Sequence, residues 1–120
     1  MFNRSLLPCP CCGFETLSER GEYEICRVCW WEDDGQNDTN ADQILGGPNG
    51  RYSLTDARNN FRDHGYMYDL EDAIEIVKHP SAERRTLINY CLSVVRGEEK
   101  LDKTLFESLR LSDEIAQELD

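Results

Sequence analysis

The chain has 120 residues, of which 39% are hydrophobic and 31% charged, and its formal net charge is -11. A chain of this length suits one compact domain with a small core, and small cores usually need a metal ion or disulfides for support. No apolar run reaches the roughly 18 residues of a transmembrane helix. The excess of acids disfavours binding to the phosphate backbone of a nucleic acid.

The eight residues before the first cysteine contain too few apolar residues for the core of a secretory signal peptide. We therefore expect a cytoplasmic protein whose cysteines stay reduced. In that compartment the six cysteines of the chain favour a metal site over disulfides.

Four of the cysteines form two pairs with the spacing of metal ligands. Cys9 and Cys12 are separated by two residues, as are Cys26 and Cys29, and thirteen residues lie between the pairs. A two-residue gap lets both sulfurs of a pair reach one ion from a tight turn, and four thiolates complete the tetrahedral shell that zinc prefers. We predict one structural Zn²⁺ bound by these four thiolates, with no open position for catalysis.

A β-hairpin is predicted between the two pairs. Residues 14–17 and 23–25 are strand-forming, and residues 20–21 between them are a turn signal. Together with the cysteine pairs, this hairpin predicts a zinc ribbon over residues 8–34.

The cysteine pattern leaves some alternatives open. A disulfide protein is one. A redox site is another, because residues 9–12 have the C-P-x-C order of glutaredoxins, although that motif needs a strand before it and a helix opening at it. Cys11 can be a packing residue, an exposed thiol near the metal or a ligand that exchanges with Cys12. Cys91 lies on an apolar helical stripe and is expected in the core.

An acidic segment follows the second cysteine pair. Residues 31–50 contain five acids and no lysine or arginine, and an acidic, glycine-rich loop is predicted over residues 35–52. An acidic surface favours a partner with a basic surface, and tryptophan is frequent at interface hot spots. Of the two tryptophans after Cys29, one is expected to cover the zinc site and the other can anchor a partner. The candidate partner-binding residues are Trp31, Glu32, Asp33, Asp34, Asp38 and Asp42.

The same loop contains the first half of a calcium-binding pattern. Asp38, Asn40 and Asp42 alternate as calcium ligands do, but Gln43 and Asn49 stand where an EF-hand needs glycine and glutamate. A solvated acidic loop is the better interpretation.

Helical patterns begin at Ser53. Ser53 and Asp56 have the spacing of a capping box at the start of a helix. Gly65 is a stop signal for the end of that helix. In the third predicted helix, over residues 82–96, apolar residues recur at spacings of three and four, which indicates one buried face. Those residues are Leu87, Ile88, Cys91, Leu92 and Val95. The further helices are predicted over residues 70–78, 82–96, 101–109 and 113–119.

These segments predict an α+β fold in which an N-terminal zinc-ribbon β-hairpin packs on a C-terminal bundle of three to five short helices. We expect a single domain over residues 1–120, with residues 53–120 helical. The ribbon is expected to contact the helices through Trp30 or Trp31 and the apolar stripe of the third helix.

The motifs of the N-terminal half are similar to those of the bacterial cysteine-rich CPCC family. The resemblance covers roughly residues 8–65, and Arg27 stands where the family commonly has proline. It implies a zinc ribbon in a bacterial cytoplasm and supplies no reaction. The residues that carry it are Cys9-Pro10-Cys11-Cys12-Gly13-Phe14-Glu15-Thr16-Leu17, Tyr23-Glu24-Ile25-Cys26-Arg27-Val28-Cys29-Trp30-Trp31-Glu32-Asp33-Asp34, Gly47-Pro48-Asn49 and Ser53-Leu54-Thr55-Asp56-Ala57-Arg58-Asn59-Asn60-Phe61.

The sequence contains no recognisable catalytic motif. We therefore predict a protein that is not an enzyme, contacts no membrane and binds a basic protein partner, more specifically as an immunity or antitoxin-type inhibitor. The alternative is a nucleic-acid-binding or transcription-related zinc ribbon. Its local basic patch would comprise Arg51, Arg58 and Arg62 with Arg84 and Arg85. The chain's net acidity makes nucleic acid the weaker hypothesis, and the oligomeric state stays open.

Overall fold

The computed structural model describes residues 5–119, which divide into two compact units. The first unit runs to Tyr68, and the second begins at Asp69. An antiparallel pair of strands precedes the helices, which confirms the predicted α+β class. Within residues 5–119, no helix is long and apolar enough to cross a membrane.

The strands of the first unit are β1 (Leu7–Pro8) and β2 (Glu15–Leu17), which pair antiparallel with Leu7 opposite Leu17. The predicted hairpin between residues 14–17 and 23–25 is therefore wrong. Each cysteine pair sits in a turn that folds its own flanking residues together, so β2 pairs with the chain that precedes the first cysteine pair.

The residues after the second cysteine pair complete the other hairpin. Ile25 forms an antiparallel bridge with Glu32, and the backbone N–H of Tyr23 donates to the carbonyl of Asp33 at 2.9 Å. Tyr23 has a φ of 61°, which takes the chain out of a continuous strand. The first unit thus has two short hairpins, one around each cysteine pair.

Helix α1 (Leu54–His64) also belongs to the first unit, whereas the sequence grouped it with the C-terminal helices. Its predicted capping box is present between Ser53 and Asp56, and it ends at a left-handed Gly65. The ring of Phe61 packs edge-on against Phe14 beside β2, with centroids 6.4 Å apart. This aromatic contact attaches α1 to the first hairpin. The short 3₁₀ turn Gly47–Asn49 precedes the helix.

The second unit contains a 3₁₀ turn (Leu70–Asp72), a single helical turn α2 (Glu75–Lys78), and two longer helices. The predicted helix over residues 70–78 is interrupted, because the backbone between the two turns is extended. The two short helices predicted after residue 100 are one continuous helix, since the serine between them is exposed and does not break it. The longer helices are α3 (Ala82–Val95) and α4 (Lys103–Leu119).

Helices α3 and α4 pack against each other. Leu87 and Cys91 of the predicted apolar stripe are buried, which confirms the core position of Cys91, and Phe106 of α4 is buried as well. The buried face of α3 also contains Arg84, whose Nη1 lies 3.2 Å from Asp113 Oδ2 of α4. The contact between these helices is therefore both apolar and ionic.

Candidate metal centre

The four predicted cysteine ligands lie together in the first unit. Cys9, Cys12, Cys26 and Cys29 are all buried, and their sulfurs lie within 4.8 Å of one another. Among residues 5–119, these four are the only group of three or more histidine, cysteine or acidic side chains placed to share one ion. The calcium-like pattern in the acidic loop therefore does not form such a group.

The two cysteine pairs are held by the same backbone geometry. In the first turn, Gly13 N donates to Cys9 O at 2.8 Å, and in the second Trp30 N donates to Cys26 O at 2.9 Å. Gly13 and Trp30 occupy equivalent places, one residue after the second cysteine of a pair, and both have positive φ, 85° and 72°. Glycine adopts this conformation without steric cost, whereas a tryptophan there is strained.

Amide groups within each turn point at the first sulfur of the pair. Cys11 N lies 3.4 Å from Cys9 Sγ, and Val28 N lies 3.4 Å from Cys26 Sγ. Cys26 Sγ also accepts a hydrogen bond of 3.0 Å from the hydroxyl of Thr16 on β2. Donors around a sulfur stabilise its thiolate form and orient it for a metal. No sequence signal marked Thr16, because its role depends on which strands meet.

The donor set fits a tetrahedral metal ion. The sulfurs of Cys9 and Cys29 are 3.6 Å apart, and those of Cys12 and Cys26 are 3.7 Å apart. A regular tetrahedron with metal–sulfur bonds of about 2.3 Å has edges of about 3.8 Å. These two distances are therefore those between neighbouring ligands of one tetrahedral ion, and all four sulfurs lie within 4.8 Å of one another.

The titration of the metal-free cluster follows from its burial. Burial raises the pKa of the Cys9, Cys12 and Cys29 thiols well above the usual value. Burial acts on Cys26 in the same direction, but hydrogen bonds from the other thiols and from Thr16 outweigh it and lower its pKa. A metal ion binds thiolates, so it must displace the protons that burial favours on these thiols.

The alternatives to a metal site are not supported. All six cysteines lie within residues 5–119 and are free thiols there. Residues 9–12 form a turn that leads into strand β2, so the helix that a glutaredoxin-type motif requires does not follow them. Cys11 is buried beside the cluster, and burial raises the pKa of its thiol. It is therefore a packed residue and not the exposed thiol considered above.

Two of the six candidate partner-binding residues are inside the protein, which corrects the prediction. Trp31 is 0% exposed, so it is a core residue and cannot anchor a partner on this surface. Asp33 is also fully buried, and its carboxylate accepts hydrogen bonds from Arg20 Nε at 2.8 Å and Gly21 N at 2.7 Å. Buried carboxylates need such partners, and the sequence did not show that an arginine thirteen residues away supplies one.

The other four candidates remain on or near the surface. Glu32 and Asp34 are half-buried, and Asp38 and Asp42 are exposed. Asp38 Oδ1 accepts a hydrogen bond of 2.7 Å from Arg58 Nη2. The loop therefore keeps an acidic surface formed by these four side chains.

The suggested basic patch is largely engaged in contacts within the chain. Arg58 Nε donates to the carbonyl of Pro10 at 2.8 Å, which links α1 to the first cysteine turn, and its Nη2 pairs with Asp38. The guanidinium of Arg51 lies 4.8 Å from the centre of the Tyr52 ring. These arginines stabilise the first unit, which weakens the case for a nucleic-acid surface.

The first unit therefore defines a class: a small α+β unit in which two hairpin turns bring four cysteines close enough to share one metal ion. The sequence model of the cysteine-rich CPCC family matches residues 7–84 of the chain. The chain belongs to this family, and the match extends beyond the resemblance seen in residues 8–65. A comparison with curated proteins found no match. A comparison with solved structures found none either.

Proposed function

We propose that this protein is a non-enzymatic, protein-binding module built around one structural zinc ion. The observation that carries the proposal is the acidic segment of residues 31–50, which follows the last cysteine of the cluster in the sequence. The metal holds the two hairpins together, and the acidic segment is the surface offered to a partner.

Zinc suits this site because four thiolates form a soft, tetrahedral donor set. Four protein ligands fill the shell, so a bound zinc ion has no position for water and serves to connect the hairpins. Binding free energies for such sites are about 10–16 kcal/mol, which is large beside the stability of a small domain. We therefore expect the first unit to require zinc for folding.

The metal can be identified by native mass spectrometry and elemental analysis of the purified chain. We expect one zinc per chain, and loss of zinc in Cys26→Ser. Cys91→Ala is the matched control, because Cys91 is buried in the second unit and should leave zinc content unchanged. Retention of one zinc by Cys26→Ser, or an iron–sulfur absorption spectrum, would contradict this assignment.

A protein partner with a basic surface is supported by the charge of the loop. Residues 31–50 carry five acids without a lysine or arginine, and Asp38 and Asp42 are exposed. Complementary charge accelerates encounter and selects the partner. We place the protein among immunity or antitoxin-type inhibitors, which are small acidic proteins that cover the basic surface of a toxin.

Affinity capture with the zinc-loaded chain from its own source cells tests this function. We expect a basic protein whose toxicity in a heterologous host falls when the two proteins are produced together. Gel shifts with DNA and RNA at low salt provide the opposing test, and we expect no shift at micromolar protein. Recovery of no protein partner together with a clear gel shift would replace this proposal with nucleic-acid binding.

A further inference from the structure

The loop between the cysteine cluster and α1 contains two adjacent apolar side chains that face solvent. Ile44 is 61% exposed and Leu45 is 50% exposed. We call these two residues the apolar tip. Single exposed apolar residues are ordinary on protein surfaces, but here two stand in succession and each is at least half exposed.

The chain leading to the tip is held in one conformation. Gln36 is 1% exposed, and its Nε2 donates to the carbonyls of Asn40 and Gln43 at 2.9 and 2.8 Å. The N–H of Thr55 in α1 donates to the carbonyl of Ala41 at 2.9 Å. A loop fixed by buried hydrogen bonds loses little conformational entropy when it binds, which favours affinity.

The acid nearest the tip in the sequence is Asp42. Asp42 stands two residues before Ile44, is exposed, and binds the neutral hydroxyl of Thr55. Between Arg27 and Arg51 the sequence has no basic residue and five acids.

Asp33 is buried against Arg20, and Asp38 pairs with Arg58, so the acid that carries the argument is the exposed Asp42. A second copy of the chain seated on the tip would bring two Asp42 carboxylates towards each other, whereas a basic surface would complement them.

We propose that Ile44 and Leu45 are the apolar anchor of the partner interface, and that the partner presents an apolar pocket bordered by lysines or arginines. This inference rests on the proposed function and names the surface through which it acts. The tip fills the pocket and the loop acids contact its rim, which is the usual arrangement of an apolar interface core within a polar border.

A photo-crosslinking experiment tests the position of the interface. A benzoylphenylalanine replaces Ile44 in the full-length, zinc-loaded chain, and in a control replaces Leu105, which is 42% exposed on α4 in the second unit. The protein crosslinked from position 44 is identified and purified. Its dissociation constant is then measured for wild type, for Ile44→Ser with Leu45→Ser, and for Leu105→Ser.

We expect the double variant to weaken binding by at least about ten-fold, as truncation of an interface hot spot does, and Leu105→Ser to leave it unchanged. Asp42→Asn should reduce the dependence of the affinity on salt. Zinc content and circular dichroism confirm that every variant is folded.

Three results would overturn the inference. If affinity capture yields a partner that binds the double variant as tightly as wild type, the anchor lies elsewhere while the proposed function stands. If neither capture nor crosslinking yields a protein, the proposed function fails as well. If size-exclusion chromatography shows a dimer that the double variant loses, the tip contacts a second copy of this chain and not a basic partner.

Discussion

The hydroxyl of Thr16 lies 3.0 Å from the sulfur of Cys26 and donates a hydrogen bond to it. Thr16 belongs to β2 in the first hairpin, whereas Cys26 is the first ligand of the second hairpin. The contact therefore joins the two hairpins independently of a metal, and it supports one ligand of the centre directly.

Replacing Thr16 with valine should weaken zinc binding by about ten-fold, because hydrogen bonds around a ligand orient it and stabilise its charged form. Competition with a chelator of known affinity measures the change. Thr16→Ser keeps the hydroxyl and should bind nearly as wild type does. Thr104→Val, at an exposed site on α4, is the control that should have no effect. Equal zinc affinity in the valine and serine variants would show that the hydroxyl is irrelevant.

Zinc affinity should fall as pH falls. Burial raises the pKa of the Cys9, Cys12 and Cys29 thiols, which favours their protonated form, whereas hydrogen bonds from the other thiols and from Thr16 outweigh burial at Cys26 and lower its pKa. Binding of zinc to four thiolates therefore releases protons, and acid shifts the equilibrium towards the free thiols. Isothermal titration calorimetry in two buffers with different ionisation enthalpies counts the protons. A binding constant that does not change between about pH 6 and pH 8 would contradict this scheme.

Asp33→Asn should destabilise the first unit by about 2 kcal/mol, the scale of a lost charge-assisted hydrogen bond. The carboxylate of Asp33 accepts from Arg20 Nε, Gly21 N and Gly35 N, and an amide can accept through one oxygen only. Urea unfolding of the zinc-loaded chain measures the effect. Asp42→Asn removes an equal charge from an exposed site and should change the free energy of unfolding by only a few tenths of a kcal/mol.

Removing only one partner of the ion pair between Arg84 and Asp113 should strongly lower the stability of the folded chain. Their side chains are 3% and 1% exposed, so Asp113→Ala removes a buried carboxylate that pairs with the guanidinium of Arg84. Breaking a buried pair in this way costs about 3 kcal/mol or more. Replacing both partners, Arg84→Met with Asp113→Leu, should restore most of that loss. Thermal unfolding compares the stability of the two variants with that of wild type. Equal destabilisation by the single and the double variant would contradict the expectation.

The four clustered cysteines and both ends of α1 were readable from the sequence because their signals are local. Two residues between cysteines suffice to bring both sulfurs to one turn, whatever lies elsewhere in the chain. Ser53 and Asp56 satisfy each other's backbone groups three residues apart, and Gly65 ends the same helix through its own positive φ.

Features that depend on distant residues were decided only by the tertiary structure. Strand-forming residues do not reveal their partner, so the pairing of β2 with β1 could not be distinguished from a central hairpin. Trp31 and Asp33 looked equally suited to a surface, and only the packing around them buries both. Gln36 carries no motif at all, yet it holds the acidic loop through two hydrogen bonds. The cysteine spacing alone thus predicted which four side chains lie together, whereas the contacts of the folded chain determined which acidic and apolar side chains remain exposed.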